Sequence, residues 1–185
     1  MHGNGLADEH LLARLQSGDG RALGELYRRY RVRLYGYCFR LLRSSDDAED
    51  AVHETFLKLR TGANSLNHAG AFRTWLYHVA RNESLMMLRR THGRSTPIPE
   101  EIPDILTPLE SLVSKDNAEL VRTAIGRLKA EYHEVLILRE YEGFSYAEIA
   151  EVTETTLDSV KARIFKARKA LAAHLEHLFK ERKES

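Results

Sequence analysis

Apolar residues in this chain recur every three or four positions, in two groups separated by a stretch where the pattern stops. The first group opens with Leu11, Leu12 and Leu15 and continues through Leu23, Leu26, Tyr27, Tyr30, Leu34, Tyr37, Cys38 and Leu41. It then runs through Ala48, Ala51, Val52, Thr55, Phe56 and Leu59, and ends with Phe72, Trp75, Leu76, Val79, Ala80 and Met87. Such spacing gives each segment one apolar face, so four amphipathic helices are expected. Asp8, Asp19 and Ser45 are candidate N-caps, whose side-chain oxygens would accept from unsatisfied backbone N–H groups. Gly18, Gly62 and Gly93 are candidate stops.

The pattern lapses where all four prolines cluster, at Pro97, Pro99, Pro103 and Pro108, interspersed with Glu100, Glu101 and Asp104. Proline lacks the amide hydrogen and fixes φ, so this composition favours extended, solvated chain and reads as a linker. The helical period resumes with Leu109, Leu112, Val113, Leu120, Val121, Ala124, Ile125 and Leu128, then Val135, Leu136 and Leu138. Gly143 interrupts it. Ser145 is placed to cap a short helix through Val152, and Thr156 a long one running from Leu157 towards Leu178. With no alternating strand pattern to compete, the expected fold class is all-α, in two small helical domains.

Composition narrows the picture. The hydrophobic fraction of 43% is enough for packed cores, and a net charge of +1 names no partner. Cys38 is the only cysteine, which excludes an intrachain disulfide and a cysteine-rich zinc site and fits a reducing compartment and a buried thiol. The N-terminus has no apolar core preceded by positive charge, and no apolar run approaches membrane-spanning length, so an intracellular protein without membrane insertion is expected.

Local chemistry is more telling. Tyr146-Ala-Glu-Ile-Ala150-Glu-Val-Thr-Glu-Thr-Thr156-Leu-Asp-Ser-Val160 has the form of a helix-turn-helix, with small Ala150 at the crossing and Ile149, Val160 and Ile164 as apolar anchors. Glu154 stands at the turn where glycine would ordinarily relieve left-handed strain, at a cost of order 1 kcal/mol if that geometry is kept. The second helix bears Lys161, Arg163, Lys166, Arg168 and Lys169, with no acidic residue between Asp158 and Glu176. A basic helix after a tight turn suits a major groove. Ser159, Lys161, Ala162, Arg163, Phe165 and Lys166 are placed to reach base edges or phosphates, with Ile164 and Ala167 facing inward. The bland alternative is the solvated face of an ordinary helical hairpin.

In the first half, Ser45-Asp-Asp-Ala-Glu-Asp50-Ala-Val-His-Glu54-Thr-Phe56 concentrates carboxylates at a helix start, where they favour the positive end of the dipole. The cluster is denser than capping needs. Asp50 and Glu54, four apart, share an exposed face suited to a basic protein partner. Further on, the helix from Phe72 through Arg90 mixes aromatic, amide and guanidinium groups able to meet unpaired bases. Trp75, Leu76 and Val79 are expected in the core, with Arg81, Asn82, Arg89 and Arg90 as nucleic-acid contacts.

Taken together, Leu26-Tyr-Arg-Arg-Tyr30, Asp47-Ala-Glu-Asp50, Glu54-Thr-Phe56, Phe72-Arg-Thr-Trp75-Leu-Tyr and Ala80-Arg-Asn82 resemble the second region of the sigma-70 family. Leu136-Ile-Leu-Arg139-Glu, Gly143-Phe-Ser-Tyr146-Ala-Glu-Ile-Ala150, Val160-Lys-Ala-Arg163 and Lys166-Ala-Arg168 resemble its fourth. The whole is similar to the minimal extracytoplasmic-function group, which keeps only these two regions. The resemblance implies a non-enzymatic, cytoplasmic subunit of RNA polymerase that needs no cofactor or metal, with region 2 over residues 8–93, a linker over 94–108 and region 4 over 109–180. It implies that Asp47, Asp50, His53, Glu54 and Phe56 dock on the polymerase clamp coiled coil. Residues 62–70 and the helix after them, with Phe72, Arg73, Arg81, Asn82, Arg89 and Arg90, would melt and read the −10 element. Residues 157–169 would read the −35 element, with region 4 on the polymerase flap. An anti-sigma protein is implied as a further partner. The sequence departs from the family pattern at His53 (usually glutamine), Met86 (often aspartate), Lys129 (commonly proline) and Asp158-Ser159 (commonly glycine-threonine). Near a phosphate Asp158 would repel, so it is expected to cap the helix or to alter the −35 preference.

The rival reading is a two-domain regulator that binds duplex DNA without polymerase, for which the acidic helix would have no use. An enzyme finds little support: His53-Glu54 lacks the second histidine of a metalloprotease helix, no glycine loop would cradle phosphate, and His174 with His177 does not complete a zinc site.

Overall fold

The computed structural model describes residues 5–66, 71–91 and 115–184, and among these every regular element is helical. The chain divides into two compact units, Met1–Pro103 and Asp104–Ser185. Gly93, the four prolines, Leu109, Leu112 and Val113 lie outside the described residues.

The first unit holds α1 (Gly5–Gln16), α2 (Gly20–Leu42), α3 (Ser45–Gly62) with a short 3₁₀ turn (Ala63–Ser65), and α4 (Phe72–Thr91). Helix α2 is the hub, packing against α1, α3 and α4. Its residues Leu26, Tyr30, Leu34 and Tyr37 fall one turn apart on one face and are all buried. Tyr30 meets Phe72 edge-on at 5.6 Å between ring centroids, and Tyr37 meets Tyr77 at 5.3 Å, so aromatic pairs join α2 to α4. Cys38 is fully buried, as expected of a structural thiol.

Helix ends follow local chemistry, with two corrections to the expected caps. Asp19 caps α2, accepting from the Arg21 N–H at 2.9 Å. Arg14 donates to the same carboxylate, which holds the Asp19 carboxyl below its ordinary value of 3.8, with the Arg21 N–H as the next contribution. Gly18, at φ +92°, closes α1: its N–H bonds to the Leu15 carbonyl and that of Asp19 to the Arg14 carbonyl. Asp8, however, lies inside α1. It is buried, and Arg29 and the Tyr30 hydroxyl both donate to it, tying α1 to α2. Burial first, then this hydrogen bond, pushes the Tyr30 hydroxyl well up. At α3 the cap is Ser44, one residue before the expected Ser45, because Ser44 is the residue with extended backbone and its hydroxyl accepts from the Asp47 N–H.

The second unit comprises α5 (Lys115–Gly126), α6 (Ala130–Leu136) continuing into a π-helical turn (Ile137–Tyr141), α7 (Tyr146–Val152) and α8 (Leu157–Glu184). Helices α5, α6 and α7 all pack on α8. Val135, Leu136, Ile137 and Leu138 are buried in succession. Four consecutive positions cover about 300° of a helix, so this segment is enclosed on nearly all sides, which an amphipathic period would not predict. No helix among the described residues is long and apolar enough to cross a membrane.

Candidate functional site

The helix-turn-helix forms because each of its breaks has its own local cause. Gly143, at φ +69°, turns the chain ahead of α7. Ser145 then makes a reciprocal capping box with Glu148, the hydroxyl accepting from the Glu148 N–H at 3.2 Å while the Ser145 N–H donates to the carboxylate at 2.7 Å. At the turn itself Glu154 takes φ +52°, with its N–H on the Glu151 carbonyl and the Thr155 N–H on the Ala150 carbonyl. This is the left-handed termination usually assigned to glycine, made here by a residue with a Cβ. Thr156 caps α8, its hydroxyl accepting from the Ser159 N–H at 3.2 Å and donating to the Ser159 hydroxyl. Asp158 takes no part in the cap. It projects into solvent and pairs with Lys161 at 3.1 Å.

Packing orients α8. Ile149, Val152, Val160, Ile164 and Ala167 are buried against one another's helices, so the inward assignment of Ile164 and Ala167 holds. Ala150 at the crossing is half-buried. On the opposite side Lys161, Ala162, Phe165 and Lys166 are exposed, Phe165 at 71%, while Ser159 and Arg163 are half-buried. An exposed phenyl ring among ammonium groups is costly to leave in water and is well suited to a thymine methyl group.

In the first unit, Asp50 and His53 on α3 are exposed, and Asp47 and Glu54 half-buried. Phe56 is different. It is 5% exposed and meets Tyr27 of α2 edge-on at 4.9 Å, so it supports the face from beneath. Leu57, 40% exposed, and Tyr27, 39% exposed, adjoin that face and were missed in the sequence. The signal was available: Asp50, Glu54 and Leu57 stand at i, i+4 and i+7, one helical stripe.

On α4, Phe72 is fully buried and meets Tyr30. Trp75 and Val79, expected in the core, are half-buried, and Leu76 is fully buried. Asn82, Arg89 and Arg90 are exposed and Arg73 and Arg81 half-buried; the Asn82 amide lies 3.0 Å from the His78 ring. Beneath them Glu83, 2% exposed, pairs with Lys58 of α3. Gln16, also missed, donates through one amide nitrogen to the carbonyls of Ala63 (2.9 Å) and Leu66 (3.1 Å), fixing the chain where α3 ends; residues 67–70 lie outside the described residues. His174 and His177 have separate partners, the Ala124 carbonyl and Glu181.

A helix-turn-helix with a basic outer face, in one unit, and an acidic helix in a second unit define a DNA-binding protein of transcription. The comparisons with known proteins say which. Residues 26–94 match Sigma-70 region 2, and residues 118–171 match Sigma-70, region 4. The chain is 30% identical over 187 residues to the RNA polymerase sigma-H factor of Pseudomonas aeruginosa, covering 94% of this chain and 96% of that protein. It is 31% identical over 186 residues to the ECF RNA polymerase sigma-E factor of Haemophilus influenzae, covering 94% and 97%. Among solved structures, CnrH in complex with the cytosolic domain of CnrY is similar at a TM-score of 0.71 and 26% identity, covering 92% of this chain and 98% of that one. The chain belongs to the sigma-70 family, in its extracytoplasmic-function group: a non-enzymatic RNA polymerase sigma factor that directs transcription initiation.

Proposed function

We propose that the two units divide promoter recognition between them, region 2 over residues 8–93 and region 4 over residues 109–180, with residues 94–108 as the linker. The acidic stripe of α3, Asp47, Asp50, His53 and Glu54 with Leu57 beside it, docks on the clamp coiled coil of core RNA polymerase, and region 4 rests on the flap. Arg73, Arg81, Asn82, Arg89 and Arg90 of α4 hold the −10 element, where capture of an unstacked base contributes to opening the duplex. The outer face of α8, with Ser159, Lys161, Ala162, Phe165 and Lys166, reads the −35 element. Each unit alone binds weakly; joined, the second contact forms at high effective concentration.

The observation that carries this reading is the outward face of α8, where buried Ile164 and Ala167 leave Lys161, Phe165 and Lys166 to face solvent. We place the protein in the cytoplasm, where its polymerase is, and propose an anti-sigma protein as its inhibitor. The similarity to CnrH, whose structure is a complex with the cytosolic domain of CnrY, supports such a partner. The test is transcription in vitro with core polymerase across a library of promoter fragments. Transcripts starting downstream of a shared pair of elements support the reading. Duplex binding without polymerase and without initiation overturns it in favour of a free-standing regulator.

A further inference from the structure

Helix α8 carries cations of two kinds, and we propose that Arg163 and Arg168 are positioning residues that lock the recognition helix to its own domain, leaving phosphate contact to Lys161, Lys166 and Lys169. The inference rests on the −35 reading of α8 given above. At 100° per residue, the buried side chains of Val160, Ile164 and Ala167 define an inward stripe. Phe165 and Lys169, with Ala162 and Lys166, cluster about the opposite direction, Lys161 stands about 90° from the stripe, and all five are exposed. Arg163, half-buried, and Arg168, exposed, flank the inward stripe about 70° to either side of it, and Arg168 differs from nearby Lys161 in its partner rather than in its direction.

Each flank meets a carboxylate of another element. Arg163 Nε lies 3.4 Å from Glu131 in the first turn of α6, and Arg168 Nη2 lies 2.7 Å from Glu140 in the π-helical turn. Glu140 raises the Arg168 guanidinium above its ordinary value, and the Tyr146 hydroxyl adds to this. The Tyr146 ring is in turn covered by the Arg139 guanidinium at 5.1 Å, which donates to the Phe144 carbonyl at 2.8 Å. The π-helical turn, the start of α7 and the middle of α8 are thus joined through side chains, so both helices of the motif are held in one orientation. The Lys161–Asp158 pair is unlike these. Both partners are on α8, so it braces nothing, and a phosphate can displace the carboxylate. Lys166 and Lys169 make no ion pair among the described residues.

The two roles differ in salt dependence. Each phosphate neutralised by a cation steepens the fall of log K with log salt by about 0.9, whereas a positioning residue changes affinity without changing that slope. The experiment measures promoter-complex formation by the full chain, with core polymerase in excess, against KCl concentration. Lys166→Gln is expected to lower the slope by about 0.9. Arg163→Gln and Arg168→Gln are expected to weaken binding by about three- to tenfold at every salt concentration with the slope unchanged. Arg163→Glu should lower both the melting temperature and binding, and adding Glu131→Arg should return both to within about twofold of the parent. This reversed pair also covers the case in which a single variant unfolds. A loss of about 0.9 in slope for Arg163→Gln or Arg168→Gln, or for a reversed pair with the parental melting temperature, overturns the proposal alone. An unchanged slope for Lys166→Gln overturns the −35 reading of α8 and the proposal with it.

Discussion

Helix α3 holds the carboxylates of its stripe exposed or half-buried, whereas α8 pairs several of its cations with acids of its own domain. Asp50 and Glu54 make no ion pair among the described residues. By contrast Lys161, Arg163 and Arg168 are joined to Asp158, Glu131 and Glu140. Both faces have apolar neighbours, Leu57 and Tyr27 beside the acidic stripe and Leu157 and Phe165 beside the basic one, but only on α8 are the charges paired within the domain. A surface for a folded protein partner gains from apolar area beside its charge, because burying that area supplies affinity and the charge supplies orientation. A helix that enters a DNA groove has to be aimed, since base edges are read within hydrogen-bond tolerance, and part of its charge is better used in holding it.

The comparison can be broken most severely from beneath α3. Phe56→Ala is expected to destabilise the first unit by about 3–4 kcal/mol, measured by thermal unfolding, because it empties a core position. Phe56→Leu, by contrast, should leave polymerase affinity nearly unchanged in the folded protein. Loss of affinity in a folded Phe56→Leu variant would place Phe56 in the docking surface. Next in size, Asp50→Lys with Glu54→Lys should weaken association with core polymerase by about a hundredfold through like-charge opposition, with no loss of fold by circular dichroism. Wild-type affinity in that variant would remove the acidic stripe from the interface.

Smaller effects test how each helix begins. Glu154→Gly should stabilise the second unit by up to about 1 kcal/mol, since glycine takes φ +52° without the Cβ clash, and urea unfolding would register it. The smallest effect concerns acid. The carboxyl of Asp19 is lower in the folded chain than its ordinary 3.8, so its contribution to stability is present above that value and is lost as the pH falls below it towards the folded pKa. Thr156, a hydroxyl cap, has no such dependence. Asp19→Asn should therefore flatten the stability of the first unit in that acidic window, and a profile identical to the parent would show that the cap does not titrate there.

Much of this molecule follows from the order of its residues. The 3.6 period places an apolar stripe on each helix, Ser145 and Thr156 carry their own capping oxygens, and Gly143 permits the turn, so the helices, these two caps and the helix-turn-helix were legible without coordinates, while Asp8 and Ser45 were not the caps they resembled. Short-range chemistry is written in neighbouring positions. What the period could not say is how deep each stripe lies. Phe56 and Phe72 share a residue type with exposed Phe165, and only the packing of α2 on α3 and α4 encloses the first two. Nor could it separate Arg163 from Lys161, because the acids that hold the arginine stand 32 residues away in α6 for Glu131 and, for Arg168, 28 residues away at Glu140. Which cations are left for a partner is decided by contacts between distant segments, and those exist only once the chain has folded.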